Sequence, residues 1–226
     1  MRKIQFTNGE YYHIYNRGTD KRSVFLGKND YLRFTTSMIL LNDENNGLMI
    51  LWRDFLKKNS NALLSDFLKP SFRKSFRKIN PVVEIIAYCL NPNHYHFILK
   101  QFSKRGVEEF MHKIGTSYTK YFNQKNNRSG VLFQGKFKAV HINSNEYLLH
   151  LAAYVSCNSE IHGIALAKDY HWCSFPEYIK EEGSDIICSK EIILNQFKDQ
   201  EDFKEFAERS IQDMRQRRKL EGLLLE

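Results

Sequence analysis

The sequence has few of the features that mark metal-ribbon, secreted or membrane proteins. Its four cysteines, Cys89, Cys157, Cys173 and Cys188, are scattered, with no C-x-x-C pair. This spacing supports neither a zinc ribbon nor a dense disulfide framework and favours a reduced compartment. No apolar run approaches the roughly 20 residues of a membrane helix, and residues 1–10 lack a signal-peptide core. We therefore expect a soluble, cytoplasmic protein that does not enter the membrane.

Positive charge and aromatic rings are abundant. Lys and Arg number 34 against 26 Asp and Glu, which gives a formal net charge of +8, and there are 17 Phe and 12 Tyr. Cations bind phosphates and rings stack on bases, so this mixture suits single-stranded nucleic acid. The 226 residues, 42% hydrophobic, suffice for one substantial domain with an appendage. Charge alone identifies no function.

One segment concentrates the basic residues. Residues 53–78 contain eight Lys and Arg against two Asp. Such a run is either a solvated insertion or an arm that faces nucleic acid. We treat residues 53–80 as a basic insertion and leave both interpretations open.

The order of elements predicts the fold. Hydrophobic periodicity and turn residues indicate, in chain order, a strand, a helix, two strands, a helix, a strand and a helix, over residues 10–16, 29–41, 82–90, 94–100, 107–121, 137–142 and 144–157. The first six form the α+β, ferredoxin-like (split βαβ) arrangement, an antiparallel sheet with helices on one face. The seventh, capped by Ser144, is an additional helix. We expect residues 1–180 to form this domain and residues 181–226 a C-terminal helical extension.

Two histidines on the predicted fourth element share one face of the sheet. His94 and His96 are two residues apart in a strand, so their side chains project on the same side, while Tyr95 and Phe97 point into the core on the other side. Two imidazoles at this spacing can bind one cation. An H-x-H pair also occurs by chance on exposed strands, so the pair alone does not identify a metal site.

The additional helix carries a second pair of candidates. Tyr154 and Asn158 stand at i and i+4, so they share one face of a helix. If that face covers the sheet beside the histidines, Asn158 could complete the coordination of a hard cation such as Mg²⁺ or Mn²⁺, and Tyr154 would present its hydroxyl there. A buried core tyrosine is an equal alternative on spacing alone.

These residues lie in segments that resemble a known family. The segments are "YYHIYNRG" at 11–18, "AYCLNPNHYHFILK" at 87–100, "YTKYFNQKNNRSGVLFQGKFKAVHI" at 118–142, "EYLLHLAAYVSCNSEIHG" at 146–163 and "DYHWCSFPEY" at 169–178. In this order they resemble the single-tyrosine HUH transposases, and within that superfamily the REP-associated tyrosine transposases and their insertion-sequence relatives. The resemblance spans about residues 9–180.

The resemblance implies a complete catalytic set. His94 and His96 would be metal ligands, Asn158 the third ligand and Tyr154 the nucleophile. The implied reaction is metal-dependent cleavage and transfer of single-stranded or hairpin DNA through a 5′-phosphotyrosine intermediate, with Mg²⁺ or Mn²⁺ as cofactor. A binding module without catalysis and a hydrolytic metal-dependent nuclease are the alternatives.

Four further residues are candidates for DNA binding. Arg17, Arg128, Lys136 and Lys138 lie near turns and strands from which they could contact phosphates, although solvated surface charge explains each one equally well. His13 has no comparable partner spacing and is assigned no role. A homodimer and a monomer are both compatible with the sequence, and the identity of the recognised DNA is left open.

Overall fold

The computed structural model describes residues 4–69, 79–179 and 187–223. Residues 70–78, the second half of the predicted basic insertion, therefore lie outside the described residues. Most of the predicted extension at 181–226 is described, as two helices. None of the helices in the described ranges has the length and apolar character to cross a bilayer.

A four-stranded antiparallel sheet forms the centre of the protein. Its strands are β1 (Tyr11–Arg17), β2 (Val83–Asn91), β3 (His94–Gln101) and β4 (Lys138–Ile142), in the spatial order β2-β3-β1-β4. This order and the antiparallel pairing of all neighbours confirm the ferredoxin-like prediction.

Two helices cover one face of this sheet. They are α1 (Lys28–Leu40) and α4 (Gly106–Lys125), the two crossover connections of the fold. Tyr95 and Phe97 of β3 are buried beneath them in one cluster with Phe34 and Tyr118, as the alternation of β3 predicts. The opposite face is thereby left to the histidines.

The additional helix covers that opposite face. Helix α5 (Asn145–Ser156) begins at Ser144, whose hydroxyl accepts a hydrogen bond from the Tyr147 N–H at 3.2 Å, so the predicted cap is confirmed. Its buried side packs on Ile98 of β3 and Ala87 of β2.

Short helices continue the chain beyond α5. They are α6 (Asn158–Ile161), α7 (Phe175–Ile179) and α8 (Glu191–Leu194), and they precede the long C-terminal helix α9 (Gln200–Leu223). Helix α9 packs on the outside of α5 through Phe203 and Ala207, so α5 lies between the sheet and α9.

The helix that carries Tyr154 ends earlier than its spacing predicts. The backbone leaves the helical path at Cys157, and Asn158 begins the separate short helix α6. The Ser156 hydroxyl donates to the carbonyl of Ala152 at 2.6 Å, a side-chain bond that competes with the backbone ladder and bends helices. The prediction of one continuous helix through Asn158 is therefore wrong.

Two other local predictions also change. Helix α1 begins at Lys28, one residue before the predicted start, and Asp30 in its first turn accepts a hydrogen bond from the Leu26 N–H. The first half of the basic insertion is folded as helices α2 (Leu48–Lys58) and α3 (Leu64–Leu68), which bury Leu48 and Phe67 in a small cluster with Leu40 of α1. This amphipathic part is helical because its apolar residues have that cluster to cover.

Candidate active site

The register of the sheet gathers the candidate residues in adjacent rows. On the α5 face, Tyr15 of β1 stands opposite His96, and Lys138 of β4 stands opposite Tyr15. In the next row, Arg17 and Asn91 flank His94 from the two sides. Side chains in one row of a sheet are near enough to share a ligand.

Tyr154 reaches the histidines from above the sheet. The His94 and His96 ring centroids are 5.3 Å apart, and the Tyr154 ring stands edge-on to His96 at 5.7 Å. Tyr154 is partly buried, and its ring also approaches His13 at 6.2 Å. The tyrosine and the histidine pair of one chain thus meet without a second subunit.

Asn158 also reaches this point, despite the break in the helix. Its Oδ1 atom lies 3.2 Å from Nε2 of His94, and the residue has no exposed surface. Its Nδ2 atom is buried without a hydrogen-bond partner. The Asn158 amide is therefore oriented with its oxygen toward His94.

Neighbouring side chains hold both histidine rings. Oδ1 of Asn93 accepts a hydrogen bond from Nδ1–H of His94 at 2.6 Å, which turns the Nε2 lone pair of His94 toward Asn158. Nε2 of His13 lies 2.9 Å from Nδ1 of His96. If His96 donates this bond, its own Nε2 is likewise left as a lone-pair donor, the arrangement typical of metal-binding histidines.

Burial keeps the imidazoles of His96 and His13 neutral. Desolvation, and then the neighbouring His13, His94 and His162, hold the pKa of His96 well below its usual value. Burial also lowers the pKa of His13 to about 4. Neutral imidazole is the form that binds a metal, so the environment favours coordination over protonation.

The donor atoms fit a hard divalent cation. Lone pairs of His94 Nε2 and Asn158 Oδ1 converge, and imidazole with amide oxygen is a set that Mg²⁺ or Mn²⁺ accepts together with phosphate oxygens. Within the described part of the chain there is no group of three or more His, Cys, Asp and Glu that could hold a metal ion. The set at His94 and His96 differs from such groups because its third candidate is an amide.

The four basic candidates separate into two groups. Arg17 and Lys138 are exposed on the α5 face, in the rows of His94 and His96, and Lys138 lies over the Tyr15 ring. Arg128 instead donates to Oδ1 of Asn123 and to the carbonyl of Val131. Lys136 lines a groove of about 940 Å³ between α4 and residues 131–137, on the opposite side of the sheet. The structure thus brings only Arg17 and Lys138 to the histidine pair.

Three residues of the site escaped the sequence reasoning. They are His13, which contacts His96, and Asn91 and Asn93, which contact His94. A signal for Asn91 existed. A two-residue turn at Pro92 and Asn93 makes residues 91 and 94 partners across the hairpin, with side chains on the same face. The contact between His13 and His96 could be found only once the order of the strands was known.

Comparison with known proteins gives one family match. Residues 55–158 match the model of a family described as IS200-like transposases. This segment includes both histidines, Tyr154 and Asn158. No curated protein matches the chain.

Two solved structures match this chain. One is the REP-associated tyrosine transposase bound to a REP hairpin, with 16% identity, a TM-score of 0.52, and coverage of 83% of this chain and 88% of that chain. The other is a protein from Deinococcus radiodurans R1 described as a candidate transposase, with 11% identity, a TM-score of 0.35, and coverage of 74% of this chain and 99% of that one. The first supports the fold described above, and the second is too distant to support an argument.

Proposed function

We propose that the chain is a member of the single-tyrosine HUH transposase superfamily, since residues 55–158 match the IS200-like transposase family, and that it cleaves and transfers single-stranded or hairpin DNA with Tyr154 as the nucleophile. The observation that carries this proposal is the approach of Tyr154 to the His96 ring, 5.7 Å between centroids, beside the convergent His94 and Asn158 atoms. A nucleophile and a cation site in contact are what transfer of a phosphoryl group requires.

His94, His96 and Asn158 would hold the divalent metal, Mg²⁺ or Mn²⁺. When bound, the metal supplies positive charge that polarises the scissile phosphate and stabilises the developing charge. None of the three ligands is a carboxylate or a thiolate, since two are imidazoles and one is an amide. They therefore leave the metal's charge available for the phosphate.

The covalent step exchanges one phosphodiester for another. The Tyr154 oxygen forms a bond to phosphorus, the bond from phosphorus to the 3′ oxygen breaks, and the phenol proton is balanced by protonation of the departing 3′ hydroxyl. The DNA 5′ end is then joined to Tyr154. Attack by the 3′ hydroxyl of another strand reverses the step, so no nucleotide cofactor is needed.

The contacts within one chain favour action in cis. Tyr154 contacts the His96 of its own chain, and helix α5 is packed between the sheet and α9. Separating Tyr154 from this sheet would expose that apolar packing. We therefore assign each Tyr154 to its own histidine pair and expect a monomer to suffice.

DNA would reach the site past the exposed Arg17 and Lys138.

The test compares wild type, Tyr154→Phe and His96→Ala on hairpin DNA labelled at either end, with Mg²⁺ or Mn²⁺. We expect a covalent protein–DNA adduct with 5′-attached DNA from wild type only. Tyr147→Phe, on the exposed side of the same helix, is the matched control and should form the adduct. Cleavage that survives Tyr154→Phe would show that water attacks, as in a hydrolytic nuclease. Hairpin binding without cleavage by any of the proteins would indicate a binding module.

A further inference from the structure

Asn91 has no part in the set of residues proposed above, yet it lies at the centre of that set. It is the last residue of β2, has no exposed surface, and pairs with His94 across the hairpin. Its Nδ2 atom is 2.6 Å from Oδ1 of Asn158 and 2.9 Å from Nε2 of His94. One amide nitrogen thus contacts two proposed ligand atoms at once.

This nitrogen takes up lone pairs that a shared cation would bind. The lone pairs of His94 Nε2 and Asn158 Oδ1 both point at the Asn91 NH₂ group, which donates to them. An amide NH₂ group has no lone pair to offer a metal, since it is a donor only. A cation that both atoms bind therefore requires this group to turn away.

Rotation of the side chain replaces this donor with an acceptor. The terminal torsion of asparagine is soft, and half a turn exchanges the amide nitrogen and oxygen with no change of shape. Oδ1 of Asn91 accepts a weak bond from the Cys89 thiol, 3.5 Å away. After the turn, NH₂ would face that sulfur and Oδ1 would face the cation.

The backbone around Asn91 is held in place. The N–H groups of Val24 and Phe25 both donate to the Pro92 carbonyl, and the Gly18 N–H donates to the Asn93 carbonyl. The hairpin turn is therefore fixed from β1 and from the loop that follows it. The proposed rotation therefore moves only the side chain of Asn91.

We propose that Asn91 is a fourth protein ligand of the metal, binding it through Oδ1, and that in the metal-free protein its NH₂ group holds His94 and Asn158 in their binding positions. The inference rests on the metal site of the proposed function. It gives the site two imidazole and two amide donors, with the amide oxygens suited to Mg²⁺ or Mn²⁺. The metal-free site is preorganised because one NH₂ group holds His94 Nε2 and Asn158 Oδ1 close together.

The experiment measures Mn²⁺ binding to the full chain without DNA, by the electron paramagnetic resonance signal of free Mn²⁺. Asn91→Leu removes the ligand at similar volume and should weaken binding about tenfold or more. Asn91→Asp supplies a carboxylate oxygen and should bind at least as tightly as wild type. Asn145→Leu, on the exposed start of α5, is the control and should match wild type. Thermal unfolding of each variant checks that it is folded.

A crystal structure of the wild type with Mn²⁺ shows whether Asn91 binds the metal or only holds the other ligands in place. We expect Oδ1 of Asn91 at coordination distance, roughly 2.2 Å. An Asn91 whose NH₂ group still contacts Asn158 beside the bound metal would overturn the inference, as would wild-type affinity in Asn91→Leu, and either result would leave the metal site itself intact. Failure of wild type to bind Mn²⁺ would remove the metal site and this inference together.

Discussion

His13 Nε2 lies 2.9 Å from His96 Nδ1, and the two rings are stacked at 5.1 Å between centroids. Because each ring nitrogen can be donor or acceptor, the contact orients His96 only when one ring donates and the other accepts. Donation by His96 leaves its second nitrogen available to a metal. His13 is thus a positioning residue in the proposed site.

Removal of this contact should loosen His96 and weaken metal binding. We expect His13→Leu to reduce Mn²⁺ affinity by about 10-fold to 100-fold, since loss of a partner behind a metal-binding histidine has that effect. His13→Gln, which can still accept the bond, should recover part of the affinity. Long-range ¹H–¹⁵N spectra of the metal-free imidazoles report the tautomer directly, and His96 should be protonated at Nδ1 in the wild type. His112→Leu, on the exposed side of α4, is the control.

Arg17 and Lys138 should bind DNA phosphate and do little for stability. Both are exposed beside the histidine pair. Each substitution to Ala should weaken hairpin binding across different sequences and lower the slope of log affinity against log salt by about 1. Fluorescence anisotropy at several salt concentrations measures this slope. A slope equal to that of wild type in both variants would contradict the proposed path of the DNA.

Arg128 should behave in the opposite way. Its guanidinium is held by the Asn123 side chain and the Val131 carbonyl, and it lies over the Phe122 ring. Arg128→Ala removes two hydrogen bonds that shape the loop after α4, so we expect a loss of about 1–2 kcal/mol in the free energy of unfolding. Urea unfolding measures the loss. A changed salt slope with unchanged stability would instead return Arg128 to the DNA-binding group.

Asp30 should make stability depend on pH at the acidic end. Burial alone would raise the pKa of Asp30, but hydrogen bonds from Lys125, the Leu26 N–H and Tyr121 together hold it below its usual value. A carboxyl with a depressed pKa stabilises the fold above its unfolded pKa and loses that contribution as pH falls through the folded pKa.

The comparison is between wild type and Asp30→Asn in urea at a series of pH values. We expect the wild type to be more stable by about 2 kcal/mol at neutral pH, the scale of hydrogen bonds to a charged group. The difference should shrink as pH falls below about 4. A difference independent of pH would mean that the charge of Asp30 contributes nothing.

The order of the elements could be predicted because each depends on local pattern. Alternation in β3 placed Tyr95 and Phe97 in the core and His94 and His96 on the other face. The Ser144 cap fixed the start of α5. Strand β2 and strand β3 followed from two β-type runs separated by the turn residues Asn91, Pro92 and Asn93. Such patterns reflect interactions within a few residues of one another, so a sequence contains them directly.

The helix boundary after Tyr154 and the residues around the histidines could not be predicted in that way. At the end of α5 the Ser156 hydroxyl donates back to the Ala152 carbonyl, a side-chain bond of the kind that bends helices. The spacing of Tyr154 and Asn158 gives no sign of this bond. Asn158 nonetheless reaches His94 from the short helix that follows.

The sequence by itself determined the strand and helix order, the face of β3 that bears the histidines and the candidate residues Tyr154 and Asn158. Only the tertiary structure decided that His13 contacts His96, that Asn91 lies between His94 and Asn158, and that Arg17 and Lys138, but not Arg128 and Lys136, lie beside the pair. The reason is that these contacts depend on residues far apart in the chain, 83 positions for His13 and His96 and 67 for Asn91 and Asn158, brought together by strand register and the packing of α5 on the sheet. Register and packing are set by the whole core and not by any local pattern.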